Sequence, residues 1–422
     1  MRVLHLVHQY LPEHVGGTEL YTQAVANALG DAGYQAGIFY RRSADGVGLE
    51  QRVEDGVPVW AAWAGSVSPR GRYLATFGDR PIEQAFERVV AEFRPDLVHV
   101  QHLMGLPVQL LHVLQRHRIP YIVTLHDYWW ICANAQLLTN YGQRICDGPR
   151  LWLNCGRCAL ARAGMGAIWP AAPALAPLLA ARARLQSQAL KRAERLIAPT
   201  LFVKTWHAAH GVSARQIAVL PHGIERTDRP ARHTRPPGGP IRVACIGGLA
   251  WQKGVHVLIE AFDRLAGRAE LWVAGSEAFD PVYAQQLRSQ AGPHVRFMGG
   301  LARGQVWACL AEVDVLAVPS LWYEAFSLIA HEAFVAGVPV MASRLGALAE
   351  VVHDGVDGLL VPPGDVDAWA AALQRLIDDP ALLDRLRAGV RPALDMAQHV
   401  QLLCDLYERS LAGIGLSSGA RS

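Results

Sequence analysis

Residues 319–340 read PSLWYEAFSLIAHEAFVAGVPV, and two carboxylates, Glu324 and Glu332, stand eight positions apart in this otherwise apolar stretch. The spacing of apolar residues predicts a helix over 326–336, and Gly337 would be the left-handed residue that ends it. The first carboxylate would then lie just ahead of the helix, and the second would lie two turns inside it.

A buried strand is predicted over 338–343, directly after this helix. The carboxylates would therefore belong to an α/β unit, at the end of the sheet where open α/β folds bind their ligands. Helix N-terminal amides bind anions, and carboxylates accept hydrogen bonds from hydroxyl groups. An anion combined with several hydroxyls describes a nucleotide-sugar.

Size and composition favour a two-domain globular enzyme or binding protein. The chain has 422 residues, of which 51% are hydrophobic and 18% charged. This length exceeds what one hydrophobic core supports. The net charge of +3 gives no reason to expect a nucleic-acid partner. Neither a secretory signal nor a membrane-spanning run is evident, so a cytoplasmic location is expected.

Apolar runs that read as strands alternate with helical patterns along both halves of the chain, which predicts βαβ units and parallel sheets. We expect an α/β architecture of two Rossmann-like domains facing a central cleft. The expected parts are an N-terminal domain over 1–220 with a cysteine-rich insertion near 132–158, a linker over 221–240, a C-terminal domain over 241–390, and a C-terminal helix over 391–422 that could pack back on the N-terminal domain.

Three further blocks accompany the carboxylate pair. One is GGTE at 16–19, another is TLHD at 124–127, and the third is GGLAWQKG at 247–254. Together with 319–340, these blocks resemble glycosyltransferase family 4, which is also described as glycosyl transferases group 1. The likeness covers most of the chain and is densest over 241–365.

The resemblance implies a type-B fold, retention of configuration at the anomeric carbon and no essential metal or cofactor. It also implies that the C-terminal domain binds a nucleoside-diphosphate-sugar and that the N-terminal domain binds the acceptor. By the same resemblance, Glu324 and His126 are the expected catalytic residues. The expected donor-binding residues are Lys253, Glu332, Gly248, the backbone of Phe326, Ser327 and Leu328, and the loop glycines Gly16 and Gly17.

Each of these residues also has an ordinary structural interpretation. Glu324 could be an acid that stabilises a helix N-terminus, and Glu332 could be an exposed helix residue. Lys253 could be a surface lysine, and His126 could be a hydrogen-bonded structural histidine beside Asp127. The complete set of blocks favours the functional interpretation for all four.

The sequence departs from the family pattern at three positions. Gly248 stands where the family usually has an arginine, so one phosphate-binding cation is either missing or supplied from elsewhere. Ala325 and Ser327 stand where the family most often has glycines, and their side chains would narrow the pocket slightly. These departures favour an alternative in which the protein is a non-catalytic nucleotide-sugar-binding subunit of a polysaccharide assembly complex.

Two further patterns could involve metals. Cys132, Cys146, Cys155 and Cys158 are compatible with a structural zinc site, although four free thiols fit equally well. The DVD sequence at 365–367 has the spacing of a metal-binding motif, but its place before an alanine-rich helix predicts a helix N-cap. We therefore assign no catalytic metal.

The sequence thus predicts a hexosyltransferase-type enzyme that moves a sugar to a glycan or a lipid-linked acceptor, in cell-surface polysaccharide or glycoconjugate synthesis. A basic stretch within 161–197 could make peripheral contact with the inner face of a membrane, although an ordinary helix with a solvated basic face explains it better. A nucleotide-sugar epimerase on a similar fold is a third interpretation, which the carboxylate pair does not support.

Overall fold

The computed structural model describes residues 1–66, 68–225, 239–265 and 267–418. The chain divides into two compact units. Unit 1 comprises Met1–Gly223 together with Met396–Ser422, and unit 2 comprises Ile224–Asp395. The boundary falls inside the predicted linker 221–240, of which residues 226–238 lie outside the described residues.

Unit 1 is built on a sheet of eight strands, in the spatial order β3-β4-β2-β1-β5-β6-β7-β8. Every pairing is parallel except that of β3 with β4, which is antiparallel. The strands are β1 (Arg2–Val7), β2 (Gln35–Arg41), β3 (Ala44–Glu54), β4 (Val57–Gly65), β5 (Leu97–Val100), β6 (Tyr121–Thr124), β7 (Arg195–Ala198) and β8 (Ile217–Val219).

Helices cover this sheet, and a 3-10 segment over Gly166–Leu175 precedes the sixth of them. They are α1 (Gly17–Asp31), α2 (Pro69–Ala75), α3 (Arg80–Phe93), α4 (Leu110–Arg116), α5 (Leu153–Arg162), α6 (Ala176–Arg192) and α7 (Leu201–Ala209). The inner parallel strands are apolar along most of their length because helices lie on both faces of a parallel sheet, whereas the antiparallel edge strand β3 is largely exposed.

Unit 2 has a six-stranded, fully parallel sheet in the order β11-β10-β9-β12-β13-β14. Its strands are β9 (Ile241–Ile246), β10 (Ala269–Ala274), β11 (Val295–Gly299), β12 (Val315–Val318), β13 (Val340–Ser343) and β14 (Gly358–Val361). Numbered within the unit, this order is 3-2-1-4-5-6, the doubly wound arrangement of Rossmann-like domains. The predicted α/β class with two parallel sheets is therefore confirmed.

The helices of unit 2 are α8 (Val255–Asp263), α9 (Pro281–Gln290), α10 (Arg303–Glu312), α11 (Leu328–Val335), α12 (Leu348–Val351), α13 (Val366–Asp378) and α14 (Pro380–Gly389), with 3-10 turns over Trp251–Lys253 and Glu277–Phe279. The predicted N-cap at Asp365 is confirmed, because its side chain accepts a hydrogen bond of 3.0 Å from the Ala368 amide at the start of α13.

The last helix, α15 (Met396–Ser418), belongs to unit 1 and packs against α1. Tyr21 of α1 bonds His399 at 2.8 Å, and Tyr407 of α15 is fully buried in the core of this unit. The helix begins at Met396 rather than at 391, since residues up to Asp395 belong to unit 2.

Within the described part of the chain, none of the helices is both long enough and apolar enough to span a bilayer.

Candidate active site

In unit 2, the loops that follow β9 and β12 meet where the strand order reverses. Connections leave these adjacent strands in opposite directions, so a crevice opens beyond their carboxyl ends. Gly254 has a φ of +72°, and a Cβ at this position would lie 2.0 Å from the Pro319 carbonyl oxygen. The Leu321 amide also donates to the Gln252 carbonyl at 2.8 Å. Glycine at 254 thus lets the predicted phosphate loop lie against the segment that leads to Glu324.

The result of this contact is an ion pair between two predicted site residues. Lys253 Nζ lies 2.7 Å from Glu324 Oε1. Glu324 is only 6% exposed, whereas about a third of the Lys253 side chain (34%) is exposed. The lysine therefore keeps access to solvent while it neutralises a buried carboxylate.

Two more donors converge on the same carboxylate oxygen. Ser320 Oγ donates to Glu324 Oε1 at 2.7 Å, and Trp322 Nε1 donates to it at 3.0 Å. Burial by itself raises the pKa of the Glu324 carboxyl, but the Lys253 ammonium and these hydrogen bonds outweigh it. The pKa therefore lies below its ordinary value, and Glu324 is ionised at neutral pH.

Glu332, the second predicted carboxylate, is the fifth residue of α11 and is 3% exposed. It forms an ion pair with Arg303, the first residue of α10. Sequence reasoning missed Arg303, since 29 positions separate it from Glu332 and nothing in its own neighbourhood marks it. The burial of Glu332 excludes its interpretation as an exposed helix acid.

The helix between the two carboxylates is shorter than predicted, since α11 spans Leu328–Val335 rather than 326–336. Ser327 holds a left-handed conformation, with a φ of +62°, and no right-handed helix can extend through it. Gly337, with a φ of +72°, ends the helix as predicted. The backbone of Phe326, Ser327 and Leu328 thus forms the entry to α11, beside the loop that carries Glu324.

The same unit has a stacked pair that the sequence did not reveal. The rings of Phe326 and His331 lie parallel, with centroids 3.8 Å apart, and His331 Nδ1 donates to the Ser327 carbonyl at 3.0 Å. Burial lowers the pKa of His331 to about 4, so its ring is neutral at physiological pH. These contacts hold the left-handed turn at Ser327.

In unit 1, the strand order reverses between β1 and β5. The predicted glycine loop follows β1, and Gly16 precedes Gly17, the first residue of α1. Gly16 has extended backbone, and a Cβ here would lie 2.6 Å from Glu19 Oε2. Glycine at 16 therefore leaves room for a carboxylate that is itself buried.

His126 follows β6, at the carboxyl end of the same sheet. Its Nε2 lies 2.7 Å from Gln101 Oε1, and Gln101 Nε2 lies 3.0 Å from His5 Nδ1. Because the amide oxygen can only accept, Nε2 of His126 carries the proton in this arrangement. Burial lowers the pKa of His126 to about 3, which keeps the ring neutral.

A second histidine at this edge holds the aspartate beside His126. His102 Nδ1 accepts from the Met104 amide at 3.1 Å, so its Nε2 donates to Asp127 Oδ2, also at 3.1 Å. Asp127 thus pairs with His102, and His126 bonds Gln101 instead. His126 is therefore hydrogen-bonded, with Gln101 rather than the adjacent Asp127 as its partner.

His99, on β5, is a structural residue. It is fully buried and bonds Tyr407 and Thr124, each at 2.7 Å. It therefore helps fix α15 against the sheet of unit 1.

The four clustered cysteines are partly buried free thiols. Hydrogen bonds connect them to the short loop around them, as in the 3.3 Å contact from the Asn140 amide to Cys158 Sγ. Across the described ranges, no three His, Cys, Asp or Glu side chains are grouped so that they could hold a metal ion. The zinc interpretation of Cys132, Cys146, Cys155 and Cys158 is therefore unsupported, because the single CxxC turn is not completed by ligands in suitable positions.

Comparison with known families gives two matches that cover nearly the whole chain. Residues 15–228 match the family model described as Glycosyltransferase Family 4, and residues 240–379 match that of Glycosyl transferases group 1. The first match alone spans just over half of the 422 residues. The two matches correspond to unit 1 and unit 2.

Among curated proteins, the chain is 34% identical over 189 residues to a glycogen synthase of Mycobacterium tuberculosis, which covers 44% of this chain and 45% of that protein. It is 33% identical over 240 residues to the MMP alpha-(1->4)-mannosyltransferase of Mycolicibacterium hassiacum, covering 53% and 57%. The matched part thus spans about half the length of these relatives.

Among solved structures, the sucrose-phosphate synthase of Thermosynechococcus elongatus has a TM-score of 0.74 at 20% identity, covering 98% of this chain and 99% of that one. The Anabaena protein HepE in complex with UDP-glucose has a TM-score of 0.69 at 19% identity, covering 97% and 100%. These likenesses show a shared type-B glycosyltransferase fold. With the family matches, they establish that the chain belongs to glycosyltransferase family 4.

Proposed function

We propose that this glycosyltransferase moves a sugar from a nucleoside-diphosphate-sugar to a glycan or lipid-linked acceptor, with retention at the anomeric carbon. The observation that supports this most is the convergence of three donors on one oxygen of buried Glu324, at the switch point of a doubly wound sheet. This is the place where such sheets bind nucleotides. The crevice also offers a cation next to a carboxylate, which suits a diphosphate joined to a sugar.

In this proposal, Lys253 changes partner when the donor binds. In the free protein it neutralises Glu324, and it is exposed enough to reach a phosphate. A diphosphate in the crevice would compete for the ammonium as a point charge. The lysine would then stabilise the negative charge that builds on the leaving nucleoside diphosphate.

Glu324 would then face the sugar while Ser320 and Trp322 still hold it. Its second carboxylate oxygen could accept hydrogen bonds from sugar hydroxyls. A fixed negative charge near the reacting carbon favours a transition state with cationic character. We assign Glu324 this electrostatic role in a front-face reaction, rather than that of a nucleophile.

Glu332 would bind the ribose diol, with Arg303 holding its carboxylate in place. Arg303 also bears on the arginine that is missing at position 248. It places a cation beside Glu332, and a third of its side chain is exposed (33%). Arg303 could therefore supply part of the positive charge that the family usually has at position 248.

On the acceptor side, we assign His126 to a hydroxyl near the donor sugar. Its low pKa keeps it neutral at pH 7, so it acts as a hydrogen-bonding group and not as a charge. Gln101 fixes the ring tautomer by accepting from Nε2, which leaves Nδ1 in its acceptor form.

The test is a thermal-shift panel of nucleoside-diphosphate-sugars on the intact chain, followed by transfer assays with the donor that binds. A bound donor raises the melting temperature in proportion to the logarithm of its concentration. Glu332→Ala should reduce that shift, whereas Glu260→Ala, an exposed acid on α8, should not. NMR of the product reports whether the anomeric configuration is retained.

Two results would contradict the proposal in different ways. If no nucleotide-sugar shifts the melting temperature at millimolar concentration, the donor site is wrong. If a donor binds through Glu332 but no transfer or hydrolysis occurs with any acceptor, the non-catalytic binding subunit becomes the better description. Metal independence is checked separately, since transfer should survive an excess of chelator.

A further inference from the structure

Unit 1 contains a cavity of about 420 Å³ that is lined by none of the predicted site residues. Its volume falls within the range of small-molecule sites, about 300–1,000 Å³. One wall is a face of α6, another is the end of the cysteine-rich insertion, and a third is the loop after α7. The floor is the chain that follows His126, at Trp130 and Ile131.

The α6 wall carries the positive charge. Arg184 and Lys191 both line the cavity, and their spacing of seven places them on one helix face, two turns apart. Among the described residues, neither cation has a carboxylate within ion-pair distance, and no Asp or Glu lines the cavity. Two unneutralised cations around a concave surface create a local potential that attracts anions.

Two other basic residues of the 161–197 stretch, Arg182 and Arg192, do not line the cavity. Arg182 is 2% exposed and donates to the Trp129 carbonyl at 2.9 Å, so it is a structural residue. Arg192 bonds Gln115 at 3.1 Å, outside the cavity. Arg182 is therefore not part of a solvated basic face, and Arg184 and Lys191 are the basic residues of this stretch that line the cavity.

The insertion contributes an aromatic wall that is held in an unusual backbone conformation. Leu151 and Trp152 have φ values of +49° and +58°, which non-glycine residues rarely adopt. The indole nitrogen of Trp152 is buried and has no hydrogen-bond partner among the described residues. The ring of this strained residue lines the cavity, and strained residues cluster at ligand sites.

The walls are tied together, so the cavity is a stable feature of unit 1. Nδ1 of His210, after α7, lies 2.8 Å from the Trp206 carbonyl oxygen, and its Nε2 lies 2.8 Å from the Asp147 carbonyl oxygen. The neutral ring donates to one of these two oxygens. Gly148 allows this approach, because a Cβ there would lie 2.5 Å from His210 Nε2. The insertion is thereby fastened to the loop that forms the opposite wall.

We propose that this cavity binds an anionic sugar, that is, a sugar bearing a phosphate or a carboxylate group. Arg184 and Lys191 would bind the anion. The Trp152 ring would lie against the sugar, while Ser187 and Ser213 would bond hydroxyls. Cations with aromatic and hydroxyl side chains suit such a ligand. The inference goes beyond the proposed function and does not depend on it, because none of the residues assigned to the donor or to the acceptor hydroxyl lines this cavity.

The experiment is calorimetric titration of the full chain with glucose 6-phosphate, glucuronate, glucose and inorganic phosphate. We expect the two anionic sugars to bind at least about tenfold more tightly than glucose or phosphate alone, since each of those lacks one half of the recognition. Arg184→Gln and Lys191→Gln should each weaken binding by about five- to tenfold, because each removes a charge-assisted contact.

Matched variants separate the site from general effects of charge. Arg192→Gln removes the same charge from the same helix outside the cavity and should leave binding unchanged. Trp152→Leu keeps an apolar side chain but removes the aromatic ring, and should weaken binding by about threefold or more. All of these side chains except Trp152 are exposed, so the variants should fold normally.

Several outcomes would overturn the inference. These are no binding of any anionic sugar at about 10 mM, equal effects of Arg192→Gln and Lys191→Gln, or phosphate binding as tightly as glucose 6-phosphate. Loss of binding in Glu332→Ala would place the ligand in the donor crevice instead. Conversely, sugar-phosphate binding that persists where no nucleotide-sugar binds would support this cavity while the proposed donor site fails.

Discussion

The two sheets place their site residues at the same point of the strand order, but unit 2 has charged pairs there and unit 1 has neutral rings. In each unit, a glycine-containing loop follows the first strand at the point where the strand order reverses. Unit 2 places charged pairs there, Lys253 with Glu324 and Arg303 with Glu332. Unit 1 places buried histidines there, and burial lowers the pKa of His126 to about 3. Paired charges can exchange a partner for a diphosphate, whereas neutral rings can bind hydroxyls without repelling or attracting a charge.

Lowering the pH should destabilise unit 1 more than unit 2, and this is the largest effect we expect. Burial lowers the pKa of four histidines of unit 1 to about 3 to 4, namely His5, His126, His207 and His399. Among the described residues of unit 2, burial lowers the pKa of one histidine, His331, to that range. Unfolding raises each pKa towards about 6.5, so the unfolded chain binds more protons below that pH.

The free energy of unfolding of unit 1 should therefore fall as the pH drops from 7 to 5.5, by about 1 kcal/mol for each such histidine and about 4 kcal/mol for the four. Unit 2 should lose about 1 kcal/mol over the same interval. Hydrogen exchange measured by mass spectrometry at several pH values reports each unit separately. Parallel losses in both units would show that the contrast between them is wrong.

Replacing the charged centre of unit 2 should mainly affect the rate of transfer. Glu324→Gln keeps the shape and removes the negative charge, so we expect kcat/KM to fall by about 10²–10³-fold, equivalent to about 3 kcal/mol. Donor affinity should change much less. Steady-state kinetics check this, with Glu260→Gln as the exposed control, and an unchanged rate would remove Glu324 from the catalytic residues.

Removing the Lys253 cation should destabilise unit 2, because the buried Glu324 carboxylate then lacks its ion-pair partner. Lys253→Gln leaves Glu324 buried without its ammonium, and we expect a loss of about 2 kcal/mol at neutral pH, since the partial exposure of the pair moderates the penalty. The pKa of Glu324 should rise, so the deficit should shrink as the pH falls and the carboxyl is protonated.

A double-mutant cycle with Lys253→Gln and Glu324→Gln tests this, using urea unfolding. The double variant should recover stability relative to Lys253→Gln alone. Additive losses would mean that the two side chains do not interact in solution.

The smallest effect concerns the turn between the carboxylates. Ser327→Gly removes the strain of a left-handed serine, and the gain should slightly exceed the added entropy of the unfolded glycine, giving about 0.5 kcal/mol of stabilisation. The matched change Ser289→Gly, in right-handed helix α9, should instead lose about 0.5 kcal/mol. Thermal unfolding measures both, and destabilisation by Ser327→Gly would show that the hydroxyl matters.

The sequence by itself determined the parallel α/β class, the position of Glu324 at a strand end, the Gly337 stop and the Asp365 N-cap. These depend on periodicity and on contacts between near neighbours, which adjacent residues encode. The helix start was predicted two residues too early, because the left-handed conformation of Ser327 is held by packing of Phe326 and His331.

Only the tertiary structure decided which side chains meet. Lys253 and Glu324 are 71 positions apart in the sequence, and Arg303 and Glu332 are 29 positions apart. The strand order brings each pair together, and the close contact at Gly254 also brings Lys253 to Glu324. No local pattern in the sequence shows either effect. The same holds for the charge of the histidines, because a ring's pKa depends on the burial that the fold imposes. For the cysteines, the spacing in the sequence allowed a zinc site, but the described residues are not arranged to form one.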